Sequence, residues 1–223
     1  MDTFDQQPSF KGGFGDVYRG GLNGSLQIAV KTPRSLLDIL TENPENIKIV
    51  AREIRTWSKC DHPNVLVFLG LAEFRGKIGM IAPWMENGNL PDYLRKNPAA
   101  NRGKLCIEVC EGVAYLHNIG IVHGDLKGNN VLVSSGGEAI VSDFGGSLSK
   151  RHSQRIALLE GGACITYRWA APELLVDGSS QDEGENHDDA SKGCVKKTKE
   201  SDTYALGMTI LVSCSHSLKI AVI

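Results

Sequence analysis

Apolar and polar positions alternate with period two near the start of the chain and shift to helical spacing further on. Residues 10–20 hold a cluster of glycines, and LQIAVK (26–31) is a short apolar run ending in a lysine, so both read as strands. Gly21, Leu22, Asn23 and Gly24 between them predict a hairpin-type turn, because asparagine and glycine tolerate positive φ. Over 46–60 the spacing becomes three and four, with Ile47, Val50, Ile54 and Trp57 on one helical face. Asp61, His62, Pro63 and Asn64 stop that helix, and 65–73 and 78–82 return to strand-like apolar runs. Asn89, Leu90 and Pro91 open a helix, with proline in its first turn. Leu105, Val109, Val113 and Leu116 mark another, closed by Asn118 and Gly120. Two short apolar runs follow, at 130–133 and 139–141. Residues 177–191 carry six acidic side chains and no Lys or Arg, which predicts a disordered loop. The end, 203–223, is strongly apolar, but Ser213, Ser215, His216, Ser217 and Lys219 favour a buried helix over a membrane span.

Composition narrows the class. A chain of 223 residues is one large domain or two small lobes, and 41% hydrophobic with 22% charged residues is a globular balance. Lys and Arg number 24 against 26 Asp and Glu, and a net charge of −2 excludes a general nucleic-acid clamp. The six cysteines include no CxxC pair and no histidine at zinc spacing, and Cys106 and Cys110, one helical turn apart, read as core packing. The first ten residues do not read as a signal peptide, so with reduced cysteines the expected location is intracellular, cytoplasmic or nuclear.

Several segments carry chemistry. KGGFGDV (11–17) lies between two expected strands, where glycines let backbone N–H groups approach phosphate oxygens. A strand rather than a helix follows, which excludes a dinucleotide fingerprint, and no Gly-Lys-Ser/Thr follows, which excludes a Walker loop. Lys31 ends its strand, and Glu53 on the first helix offers it an acidic partner that would hold the ammonium against nucleotide phosphates. HGDLKGNN (123–130) precedes Asp143-Phe144-Gly145 by a short interval. Asp143 and Asn130 are hard oxygen donors of the kind Mg²⁺ takes alongside phosphates. Asp125 is placed to accept or orient a hydroxyl proton, and Lys127 to neutralise charge on a transferring phosphoryl group.

Taken in order, the glycine loop, IAVK, Glu53, HGDLKGNN, DFG, AAPE (170–173) and SDTYALG (201–207) resemble a eukaryotic-type protein kinase domain. Their wording is most similar to tyrosine-kinase-like Ser/Thr kinases of fungal type. The resemblance implies an α+β, two-lobed fold: a small antiparallel-sheet N-lobe with one helix over 1–85, hinge included, and a partial, mainly helical C-lobe over 86–223. A disordered insert is expected over 177–200. It implies ATP and Mg²⁺ as cofactors and a protein with a Ser/Thr acceptor as substrate. Lys31 would bind the α/β-phosphates, steadied by Glu53, with Asp125 as base and Asn130 and Asp143 on the metal. Gly12, Gly13, Phe14, Gly15, Val17, Ala29, Ala82 and Leu132 would line the nucleotide pocket, and adenine would meet backbone at Pro83 and Met85. Lys127 with Thr166 resembles the Ser/Thr-directed arrangement, and Asp202 the aspartate that anchors the catalytic-loop backbone.

The pattern is not complete. Phe10 stands where the family has its first loop glycine, and Gly124 where it has an arginine that pairs with an activation-loop phosphate. After Val212 the resemblance ends, which implies a C-terminally truncated domain with an exposed C-lobe surface open to chaperones or self-association. The rival reading is a nucleotide-binding pseudokinase or an inactive fragment.

Overall fold

The computed structural model describes residues 3–12, 15–22, 26–33, 51, 54–143, 167–175 and 197–215. Its N-terminal strands are β1 (Thr3–Phe4), β2 (Phe10–Gly12), β3 (Gly15–Leu22), β4 (Leu26–Pro33), β5 (Gly70–Phe74) and β6 (Lys77–Pro83). They form an antiparallel sheet in the order β1-β3-β4-β6-β5, with β2 beside β3. The alternation in LQIAVK sorts the two faces of β4. Ile28 and Val30 are buried against Phe74, with Phe4, Tyr18, Leu22 and Ile81 packed around them. Ala29 and Lys31 therefore point to the other face, beside their β6 partners Ala82 and Met80. Ala82 and Met80 are buried in the larger core, which the helical half of the chain completes.

That half begins with α1 (Leu90–Lys96) and α2 (Arg102–Asn118). Asn89 caps α1, its side chain accepting the Asp92 N–H at 2.9 Å, and Leu90 and Leu94 face inward. Along α2, Leu105, Val109, Val113 and Leu116 are all buried, as their spacing predicts. A hairpin follows, β7 (Val131–Val133) with β8 (Ala139–Val141). Gly112 lets α2 lie directly on this region. A Cβ there would stand 2.5 Å from the Asn64 carbonyl oxygen and 3.0 Å from a Val141 methyl. The last described helix is α3 (Lys199–Cys214), opened by a reciprocal cap between Thr198 and Ser201.

Several expectations change. Over 65–73 the strand starts only at Gly70. Residues 65–69 cross between two sheets instead: Leu66 N–H bonds the Val141 carbonyl at 2.9 Å, and Leu69 N–H the Ile81 carbonyl at 2.9 Å. The first helix is seen at 51 and 54–57, where Trp57 is buried and donates its indole N–H to the Leu66 carbonyl at 2.6 Å. Glu53, Gly13, Phe14, Thr166 and residues 177–196 lie outside the described residues. The expected insert nevertheless stops short of 200, because Thr198 already caps α3 and Lys199 and Glu200 form its first turn. Cys106 and Cys110 are only partly buried and are not core residues.

The apolar reading of α3 also inverts. Its buried stripe is Ser201, Asp202, Ala205, Thr209 and Ser213, while Tyr204 and Leu211 are exposed. Small side chains at intervals of four let the helix backbone approach its neighbours, and Thr209 Oγ1 satisfies itself on the Ala205 carbonyl at 2.8 Å. None of the described helices is long and apolar enough to cross a membrane.

Candidate active site

The face of the sheet that carries Ala29 and Lys31 holds several of the residues expected to meet a nucleotide. Val17 on β3 is the register partner of Lys31, and Ala29 is the partner of Ala82, which is 3% exposed. Gly12 pairs with Gly15 at the end of the β2–β3 ribbon. Past β6, Pro83 and Met85 are half-buried, and Gly88 N–H closes a turn on the Met85 carbonyl at 3.0 Å. That segment is tied to β7: Val133 N–H bonds the Gly88 carbonyl at 2.8 Å, and Asn89 bridges to Leu132. Leu132 is thereby held beside the connection between the two halves of the chain.

The segment 123–130 is built around two buried groups. His123 is fully buried; its Nδ1 accepts the Asp125 N–H at 3.2 Å, and Nε2 lies 3.0 Å from the Ser142 carbonyl. A carbonyl can only accept, so the Nε2 nitrogen carries the proton. Asp202, 1% exposed, reaches in from α3 and takes the N–H of His123 at 2.6 Å and of Gly124 at 2.8 Å. His117 Nε2 stands 3.0 Å from the same carboxylate. Gly124 adopts φ 75°, so its missing side chain is also what permits this turn.

Charged side chains then converge. Lys127 Nζ lies 2.9 Å from Asp125 Oδ2. Asn130 Nδ2 donates to the Asp125 carbonyl at 2.7 Å and to Asp125 Oδ2 at 3.1 Å. The Asn130 carbonyl in turn receives Ser142 N–H at 2.8 Å and Ser142 Oγ–H at 2.9 Å, which fixes the residue before Asp143. Asp143 itself sits at φ 60°, a left-handed conformation uncommon outside glycine and held here at a cluster of charges. Its Oδ1 accepts Lys31 Nζ at 2.7 Å, joining the sheet to the helical half across 112 positions.

Of the residues singled out in the sequence, the structure brings together Lys31, Asp143, Asn130, Asp125 and Lys127, with Val17, Ala29, Ala82 and Leu132 on the bordering elements. The expected Lys31–Glu53 pair is not among the described contacts, because Glu53 lies outside the described residues. Lys197 was missed. Its Nζ bonds the Gly124 carbonyl, and in the sequence it is one lysine of a polar stretch next to the acidic loop.

A family model for the protein tyrosine and serine/threonine kinase domain matches residues 9–216. The chain belongs to the protein kinase family. Among its relatives, an L-type lectin-domain containing receptor kinase of Arabidopsis thaliana is 30% identical over 92% of the chain. Serine/threonine-protein kinase 1 of the same plant is 31% identical over 74% of the chain. Discoidin domain-containing receptor tyrosine kinase B of Caenorhabditis elegans is 35% identical over 57% of the chain. The chain spans 28%, 19% and 16% of the lengths of these three kinases, respectively. The antiparallel sheet and the helical lobe are those of a kinase domain, and the family implies ATP as phosphoryl donor, typically with Mg²⁺.

The residues present fit that pair of ligands. Among the described residues no group of three or more His, Cys, Asp or Glu side chains could hold a metal ion alone. Asp143 and Asn130 are oxygen-bearing side chains on segments joined through Ser142, which bonds the Asn130 carbonyl, and so few hard donors would suit an ion whose coordination phosphates and water complete.

Proposed function

We propose that the chain transfers the γ-phosphoryl group of ATP to serine or threonine hydroxyls of proteins. The observation that supports this most strongly is the Asp125 carboxylate, gripped by Lys127 and Asn130 beside the Lys31–Asp143 pair. Asp125 accepts the acceptor hydroxyl's proton, and Asn130 keeps the carboxylate oriented toward it. Lys127 offsets the negative charge that gathers on the phosphoryl oxygens, and Lys31 holds the α/β-phosphates with Glu53. Asp143 and Asn130 would hold Mg²⁺, which supplies charge neutralisation at the phosphates when bound. Gly12, Gly13, Phe14 and Gly15 cover the phosphates, Val17, Ala29, Ala82 and Leu132 flank the adenine, and Pro83 and Met85 offer it backbone. Lys127 favours a Ser/Thr acceptor over tyrosine, as the sequence resemblance implies, and named serine/threonine kinases stand among the relatives.

The test is transfer of labelled γ-phosphate to peptides carrying only Ser/Thr or only Tyr as acceptor. Label on serine or threonine is expected. Label confined to tyrosine overturns the acceptor assignment, and ATP binding without transfer to either overturns catalysis in favour of a nucleotide-binding pseudokinase.

A further inference from the structure

At the far end of the helical half two sulfur atoms meet. Cys106 Sγ, in the second turn of α2, lies 3.5 Å from Cys214 Sγ, the last residue of α3. The two are 108 positions apart in sequence. A second contact fastens the helices at the same level, since Arg102, one turn before Cys106, donates from Nη1 to the carbonyl of Ser213. Cys214 is exposed and Cys106 half-buried, so an oxidant in solution reaches the pair from the Cys214 side. A disulfide needs about 2.05 Å between the sulfurs, a closure of about 1.5 Å from the thiol contact.

We propose that Cys106 and Cys214 form a reversible disulfide that staples α2 to α3 when the protein meets a hydroperoxide. Burial, and after it the neighbouring Cys214, push the Cys106 thiol up to about 12, so Cys106 keeps its proton near neutrality. Cys214 sulfur attacks the O–O bond of hydrogen peroxide; one hydroxide leaves and takes up the thiol proton as water, and Cys214 becomes a sulfenic acid. Cys106 sulfur then attacks the Cys214 sulfur. The S–O bond breaks, the S–S bond forms, and the departing hydroxyl leaves with the Cys106 proton as a second water. Two thiols lose two electrons and two protons, and one peroxide becomes two waters. The staple lies beside a hollow of about 530 Å³ that Arg102, Trp169 and Ser213 line together with Gly128 and Asn129, so the oxidised form fixes one wall of a cavity that abuts the segment after Lys127.

The experiment exposes the full chain to a small excess of hydrogen peroxide and maps its peptides without reduction. The expected product has lost two hydrogens and joins the peptides of Cys106 and Cys214. Its melting midpoint is about 5 °C or more above that of the reduced chain, and reductant reverses both changes. Cys214→Ser, at an exposed position, and Cys106→Ser should each abolish crosslink and shift, while Cys110→Ser leaves both. A bridge to Cys60, Cys110, Cys164 or Cys194, a dimer through Cys214, or Cys214 oxidised beyond sulfenic acid without a bridge would each overturn the proposal.

Discussion

Asp202 holds His123 by its backbone: one carboxylate oxygen of the helix residue accepts the His123 N–H at 2.6 Å, across 79 positions of sequence. The other oxygen takes Gly124 N–H at 2.8 Å, so the loop that ends in Asp125 hangs from a single buried anion. Hydrogen bonds to charged groups contribute about 1.5–3 kcal/mol each, so Asp202→Ala should cost about 3 kcal/mol or more and lower the melting midpoint by roughly 6–12 °C or more. Because the side chain acts through the loop, phosphoryl transfer should fall by about 10²-fold with little change in KM for ATP. A weakened KM with unchanged kcat would contradict this positioning role.

Lys31→Met and Asp143→Asn are each expected to reduce transfer by about 10²–10³-fold or more while the fold survives. Both side chains are about one-fifth exposed and face each other across the cleft rather than packing in the core. Melting curves alongside labelled-phosphate transfer separate loss of chemistry from loss of structure. Near-normal transfer in either variant contradicts the assignment.

Gly112→Ala should destabilise the chain, against the usual helix preference for alanine. The added methyl would stand 2.5 Å from the Asn64 carbonyl oxygen, whose partner is Val141 N–H at 2.8 Å. Overpacking of this kind costs about 1–3 kcal/mol. Chemical denaturation should show a lower midpoint for the variant, and an unchanged or higher one would mean that α2 has room to shift.

Burial pushes the Cys60 thiol up to about 11. Above roughly pH 9 the unfolded chain releases that proton while the folded chain keeps it, so stability falls with rising pH. The loss should approach about 2–3 kcal/mol between pH 9 and 11 from this group. Cys60→Ala should flatten that part of the stability profile. At pH 8, native-state alkylation should label exposed Cys214 well before Cys60.

The legible parts of this chain were those where one side chain's position follows from its near neighbours. The alternation in LQIAVK puts Ala29 and Lys31 opposite Ile28 and Val30, and the asparagine cap before Leu90 starts a helix where the sequence says one starts. What escaped depends on partners far along the chain. The apolar run after Val65 is pulled away from strand pairing because its N–H groups serve Val141 and Ile81, in two different sheets. The 2.7 Å contact of Lys31 with Asp143 spans 112 positions, and no local spacing announces it. Lys197 reads as a solvated charge until the fold brings it to the Gly124 carbonyl.

The small-residue stripe of α3 has a consequence for how this helix tolerates change. Where backbones are in near contact, volume rather than polarity decides which residue is acceptable. At Ala205 and Ser213 an added isobutyl group should act as a wedge between helices, whereas at exposed Tyr204 and Leu211 a lysine should pass almost unnoticed. A saturation library scored for folding would then show a substitution map with the customary polarity rule reversed: outward apolar positions freely exchangeable, inward polar positions confined to the smallest side chains.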